Sequence, residues 1–283
     1  MNWFILLAIL FPVLSILLFK EFEKRQIEVF PAIVFNYLGG ILLGLALFIS
    51  PQQLVEIPEQ MWFYQALIIG VFFILNFYLI AKTAVFHGIS IATFSNKISL
   101  VIPVIFTIVY FDEPSNWQKI SGILFALFSI YLLTINGLNT KRTKFMIFPL
   151  LVFVFTGIME SILNFTQKIY FNSDNEIGYF VVSAFVVSFL IGIVVLIFNS
   201  KKVNSRSFFG GLFLSVPNTL GVYFFIKALN FSPDSTSVLP LMNISTLVLA
   251  ILVGFLLYEE KLTTKNWVGF GLAVFAIFLL KPS

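Results

Sequence analysis

The chain has 283 residues, 59% hydrophobic and 11% charged, with 37 phenylalanines, no cysteine, a mean hydropathy of +1.02 and a formal charge of +4. Soluble globular domains carry about 25% charged residues, and disordered chains are charged and poor in aromatics, so both classes are excluded. The missing thiols exclude disulfide frameworks, thiolate metal sites and cysteine nucleophiles.

A spanning helix needs about 20 mostly apolar residues, rising about 1.5 Å each, to cross a hydrocarbon core of about 30 Å. Ten such runs follow in chain order, at roughly 2–19, 29–49, 61–80, 89–110, 117–135, 146–168, 178–198, 208–229, 235–257 and 266–280. The first is not preceded by basic residues, and no small-residue cleavage site follows before Lys20, so it reads as a retained helix. Trp3, Trp62, Trp117 and Trp267 all stand at run starts, where an amphipathic ring suits the headgroup region. Connections are short, leaving little mass outside a lipid bilayer. The expectation is an all-α membrane protein with ten transmembrane helices, in the cell (inner) membrane.

Cytoplasmic loops collect Lys and Arg. One side holds Lys20, Lys24, Arg25, Lys82, Lys141, Arg142, Lys144, Lys201, Lys202, Arg206, Lys261 and Lys265, the other Lys119, Lys168, Lys227 and Lys281. This places the loop after the first span in the cytoplasm and both termini outside. The basic residues are scattered between apolar runs with no basic face or arm, so no nucleic-acid partner is expected.

The chain repeats itself. Glu260 lies 147 positions after Glu113, and in the same gapless register Gly122 falls on Gly269, Ala126 on Ala273, Phe128 on Phe275, and Leu132 and Leu133 on Leu279 and Leu280. Upstream, Phe77 falls on Phe224, Ala81 on Ala228, Ser90 on Ser237 and Asn96 on Asn243. We read two five-span repeats, residues 1–140 and 141–283. Five being odd, the second copy is expected upside down relative to the first, as in many secondary transporters.

The segments Phe77 to Leu133 and Phe224 to Leu280 resemble the repeat of the drug/metabolite transporter superfamily, specifically its EamA-like families. The resemblance rests on the aromatic-aliphatic-Ala stretches at Phe77–Ala81 and Phe224–Ala228, and on Glu113 and Glu260, each followed nine residues on by Gly122 or Gly269. It implies two inverted five-helix units around a central cavity, and transport or export of small metabolites, amino acids among them. One departure is that Pro103 of the fourth span is Ala250 in the second copy, which has Pro240 instead, so the halves are expected to bend at different depths.

Lys97, in Ser95-Asn96-Lys97-Ile98-Ser99, lies about 12 Å from the cytoplasmic end of the fourth span. A charge at a helix centre costs about 2.5–3.5 kcal/mol on insertion scales, which directs it to a polar interior; snorkelling along its stem is the alternative. Glu160 is the single acid inside a predicted span. The two could close an ion pair or stand apart along a wet cavity. Asn96 and Asn243 come out at symmetric depths, as solute ligands or as clamps between helices. Asn76, Asn164 and Asn218 are further candidates, and Asn36, Tyr37, Tyr78 and Tyr223 weaker ones.

Glu113 and Glu260 stand beside the N-termini of the helices that follow them, where a carboxylate suits the helix dipole and free N–H groups, so both are assigned structural roles. Gly40 and Gly44 form a small-xxx-small pattern for close helix packing, and Gly122 and Gly269 head their spans. The tenth span carries no candidate ligand and is expected to face lipid or a second protomer.

No cofactor or metal is indicated. His87 is the single histidine, and HExxH, P-loop and paired intramembrane aspartates are absent from the sequence. The expectation is a secondary transporter or facilitator for a small zwitterionic or anionic solute, possible as a homodimer; the alternative is a non-transporting, partner-binding membrane subunit. A reporter fused to the C-terminus tests the orientation: one that works only outside the cytoplasm is active, and one that fluoresces only inside stays dark.

Overall fold

The structure is a computed structural model that describes residues 3–49, 55–87, 89–134, 147–171, 173–198, 203–232, 234–258 and 263–280. Its helices are α1 (Trp3–Lys24), α2 (Val29–Leu47), α3 (Phe63–His87), α4 (Ile89–Ile98), α5 (Val101–Tyr110), α6 (Trp117–Thr134), α7 (Ile147–Tyr170), α8 (Asp174–Phe198), α9 (Ser205–Asn230), α10 (Ser235–Tyr258) and α11 (Thr264–Leu279). Among the described residues nine spans are long and apolar enough to cross a membrane, α4 and α5 together counting as one; α11 is a shorter apolar helix. The fold is that of an all-α membrane protein. The expected boundary between the halves, near residue 140, lies outside the described residues, as does Glu260.

The chain forms two compact units, Met1–Leu75 with Phe165–Asn230, and Asn76–Asn164 with Phe231–Ser283; the division falls inside α3 and α7. Each unit takes helices from both halves of the sequence.

In the first unit α2 is the central helix, packed on α8 and α9, with α1 also on α9. Gly40 and Gly44 let α2 approach α8: a Cβ at either would strike Phe185 or Val182 of that helix. Trp62 is fully buried, its ring edge-on to Phe171 and Phe180 at 6.3 and 5.9 Å. It is a core residue rather than the interfacial ring expected, because these phenylalanines give it an apolar socket. Trp3, Trp117 and Trp267 are exposed. Tyr37 is likewise core, tilted on Phe185 at 5.3 Å.

The second unit is built on the pair α6 and α11, with α10 against α5, α6 and α11, and α4 against α6. Its core gathers Leu100, Val104, Ala126, Ile130, Ile244 and Phe270. The pair runs antiparallel, and its contacts are reciprocal. A Cβ on Gly122 would meet Leu280 at 2.9 Å, and one on Gly269 would meet Leu133 at 2.9 Å; Leu133 and Leu280 are themselves repeat mates. The polar contacts exchange in the same sense. Gln118 Nε2 at the start of α6 donates to Leu279 O at the end of α11 (3.2 Å), and Asn266 Nδ2 at the start of α11 donates to Leu133 O at the end of α6 (3.1 Å). Asn266 also closes a capping box with Thr263 that starts α11. One face of α11 is therefore committed to α6, while Val274 and Phe278 on its other side are exposed.

Overpacking a tight contact costs about 1–3 kcal/mol. Gly122→Val and Gly269→Val are expected to lower the melting temperature of the detergent-solubilised protein, and Leu280→Ala is expected to restore part of the loss in the Gly122 variant but none in the Gly269 variant.

Candidate functional site

The fourth span is broken at its middle. Pro103 has no N–H to return to Ser99 O, the Ser99 hydroxyl turns back on Asn96 O at 2.5 Å, and Ile102 N bonds Ser99 O with a three-residue step. Two helices of ten residues, α4 and α5, result, each about 15 Å long. The break thus falls about halfway through a core of about 30 Å. Pro240 lies within α10, which continues past it from Ser235 to Tyr258. Discontinuous helices at mid-membrane are where transporters build polar sites, since freed backbone groups need polar company.

Polar side chains gather at this break, all of them in the second unit. Lys97 occupies the last turn of α4, where the carbonyl end of a helix favours a cation. Its Nζ donates to Asn243 Oδ1 of α10 at 3.1 Å. Asn243 is buried, and its Nδ2 donates to Leu239 O at 3.3 Å. Glu160 of α7 lies where it acts electrostatically on Lys97 and stands beside the Asn243 amide. Its Oε2 is buried and takes no hydrogen bond. Lys97 and Glu160 do not close an ion pair; the neutral amide of Asn243 holds the position between them.

A second chain of bonds runs alongside. Asn96 Nδ2 donates to Thr156 Oγ1 of α7 at 3.1 Å, and the Thr156 hydroxyl donates to Asn76 Oδ1 of α3 at 3.1 Å. Asn96 and Asn243 are repeat mates, and the Lys97–Asn243 bond joins the neighbour of one to the other.

The third group surrounds the start of α10. Glu113 is buried, and its carboxylate accepts from Ser235 N at 3.2 Å, from Thr236 N at 2.6 Å and from the Thr236 hydroxyl. Ser235 Oγ donates to Asn164 Oδ1 of α7 at 3.0 Å, and the Thr107 and Thr236 hydroxyls share a bond of 3.1 Å. Asp234 accepts from Ser237 N and pairs with Lys119 at 2.8 Å. Glu113 therefore caps α10, 122 residues on, and not α6, the helix that follows it. The reason is geometric: Asp112 takes a left-handed φ of 50° just after α5, and α6 has its own cap, with Lys119 N donating to Asn116 Oδ1.

The structure thus brings Asn76, Asn96, Lys97, Glu160, Asn164 and Asn243 into one unit and leaves Asn218 on α9 in the other. Thr156, Ser235 and Thr236 are additions. Thr156, Glu160 and Asn164 recur every fourth residue and so line one face of α7 over about 12 Å, a stripe visible in the sequence once α7 is known to be a helix.

The fold is that of an integral membrane protein with polar groups gathered at the break in its fourth span. Residues 147–281 match the model of the EamA-like transporter family, a family of transporters and not of enzymes. An uncharacterized protein of Haemophilus influenzae is 26% identical over 98% of this chain and 96% of its own length. A solved crystal structure covers 99% of this chain and 96% of its own with a TM-score of 0.73 at 14% identity, a likeness of fold alone.

Leaving buried donors unsatisfied costs about 1–3 kcal/mol. Glu113→Gln, which keeps the shape but loses the charge and one acceptor, is expected to lower folded yield and melting temperature with substrate preference unchanged. A well-folded variant of normal yield that has lost transport would refute the capping role.

Proposed function

We propose that the protein is a secondary transporter or facilitator that exports small polar metabolites, amino acids among them, with the two inverted halves alternating access to a site at the break in the fourth span. The observation that carries this reading is the presence of two groups of opposite charge type, Lys97 and Glu160, half-buried in the second unit and kept from closing on each other. A scaffold gains nothing from such an arrangement. Charges at this depth are costly, and a direct ion pair or an apolar substitution would be the more stable solution.

Lys97 attracts a carboxylate or other anionic group of the solute, and Glu160 balances an amine or a proton. The amides that were candidates for orienting the solute have protein partners in this state, Asn96 with Thr156 and Asn243 with Lys97. The exchange of those partners for solute accompanies loading. A small zwitterion or organic anion suits this site better than a bulky lipophilic cation, for which a carboxylate alone would serve.

A resistance and efflux screen of overproducing cells supplies the substrate. Flux of that substrate is then measured in proteoliposomes at two pH values for the wild type, Lys97→Met and Glu160→Gln. Lys97→Met is expected to slow flux about tenfold or more, the equivalent of about 1.4 kcal/mol and within the range of one charge-assisted hydrogen bond. Glu160→Gln is expected to remove any pH dependence while exchange persists. Unchanged flux in Lys97→Met would sink the substrate role of the lysine.

A further inference from the structure

The geometry points to Asn243 as the residue that sets which charge type the site accepts: its neutral amide occupies Lys97 without cancelling the lysine's charge, and so reserves that charge for a solute carboxylate. The inference rests on the reading of Lys97 and Glu160 as solute-binding groups and assigns Asn243 a role apart from theirs.

Two hydrogen bonds fix the amide's orientation. Nδ2 donates to Leu239 O of its own helix at 3.3 Å, and Oδ1 accepts from Lys97 Nζ at 3.1 Å. Flipping the amide would lose both, because a carbonyl cannot face a carbonyl nor an NH2 an ammonium. The ammonium has three donors, and one of them is satisfied by a partner of no net charge. On the other side of the amide, Glu160 keeps one buried oxygen unbonded. The site in this state therefore holds one amine and one carboxyl group, each with bonding capacity in hand.

An aspartate at 243 would be nearly the same size and would meet Lys97 as a full ion pair. Lys97 would be neutralised within the protein and Glu160 would be left as the uncompensated charge. The site would then prefer an amine with no carboxylate. Leucine at 243 would remove the acceptor altogether and leave Glu160 as the partner for Lys97, closing the pair that the amide keeps open.

The test uses the full chain in proteoliposomes and three matched sets of probes: glycine, methylamine and acetate; leucine, isopentylamine and 4-methylpentanoate; phenylalanine, phenethylamine and 3-phenylpropionate. In whichever set the wild type transports, Asn243→Asp is expected to lower the amino-acid to amine flux ratio at least tenfold, and Asn243→Leu to lower flux of the amino acid and the amine together. An unchanged ratio in the Asp variant overturns the inference. So does wild-type flux with wild-type preference in the Leu variant, which decides the matter if the Asp variant fails to fold. A wild type that moves no amino acid and no carboxylate in any set brings down the underlying reading of Lys97 and Glu160 instead, and the inference with it; wild-type transport with indifferent Asn243 variants brings down the inference alone.

Discussion

A lysine ammonium half-buried among apolar helices has to be satisfied, and much of the second unit follows from satisfying Lys97. Hydrocarbon offers it nothing, so the protein supplies a helix end, an amide and a carboxylate. The helix end requires α4 to stop mid-membrane, which Ser99 and Pro103 bring about. The amide requires α10 to present Asn243, and the carboxylate requires α7 to turn Glu160 toward the same point. Three helices are thereby fixed in rotation about their own axes.

The scaffold around this site draws its precision from small residues. Gly122 and Gly269 bring α6 and α11 to van der Waals contact over their length, and the terminal amides Gln118 and Asn266 close each end on the last carbonyls of the neighbour. Glu113 then anchors the first turn of α10 by three hydrogen bonds. The polar groups thus sit between elements that are themselves positioned by packing and capping, so that small displacements at Lys97 or Asn243 are not absorbed by loose surroundings.

Much of the fold was legible in the sequence because spans are long runs with a strong signal, and because a Glu, a Gly and an Asn recur in one register. The site was legible in part. Lys97 and Glu160 stand out by charge alone. Thr156 does not, since threonine is unremarked in any membrane helix until its spacing from Glu160 and Asn164 is read as a face. The helix capped by Glu113 was beyond reach, because sequence proximity suggests α6 and the partner is 122 residues on. Trp62 misled for a related reason: its place at the start of a run is what an interfacial ring would show, and only the ring contacts with Phe171 and Phe180 reveal a core residue. The break in the fourth span was foreshadowed by Pro103, but its depth depends on Ser99 as well.

The reciprocal packing of α6 and α11 has a consequence for where function can be written into this chain. Contacts that exchange under the repeat are self-complementary: any change at one position is matched, at the far end of the pair, by a position that obeys the same steric rule. Such an interface can specify shape but cannot distinguish one half from the other. The charges do. The repeat mate of Lys97 is Ile244 and that of Glu160 is Val13, both buried and apolar. The duplicated framework therefore acts as a symmetric mould, and the two ionisable groups of the candidate site stand where the copies have ceased to agree, while the amides Asn96 and Asn243 keep to the common pattern.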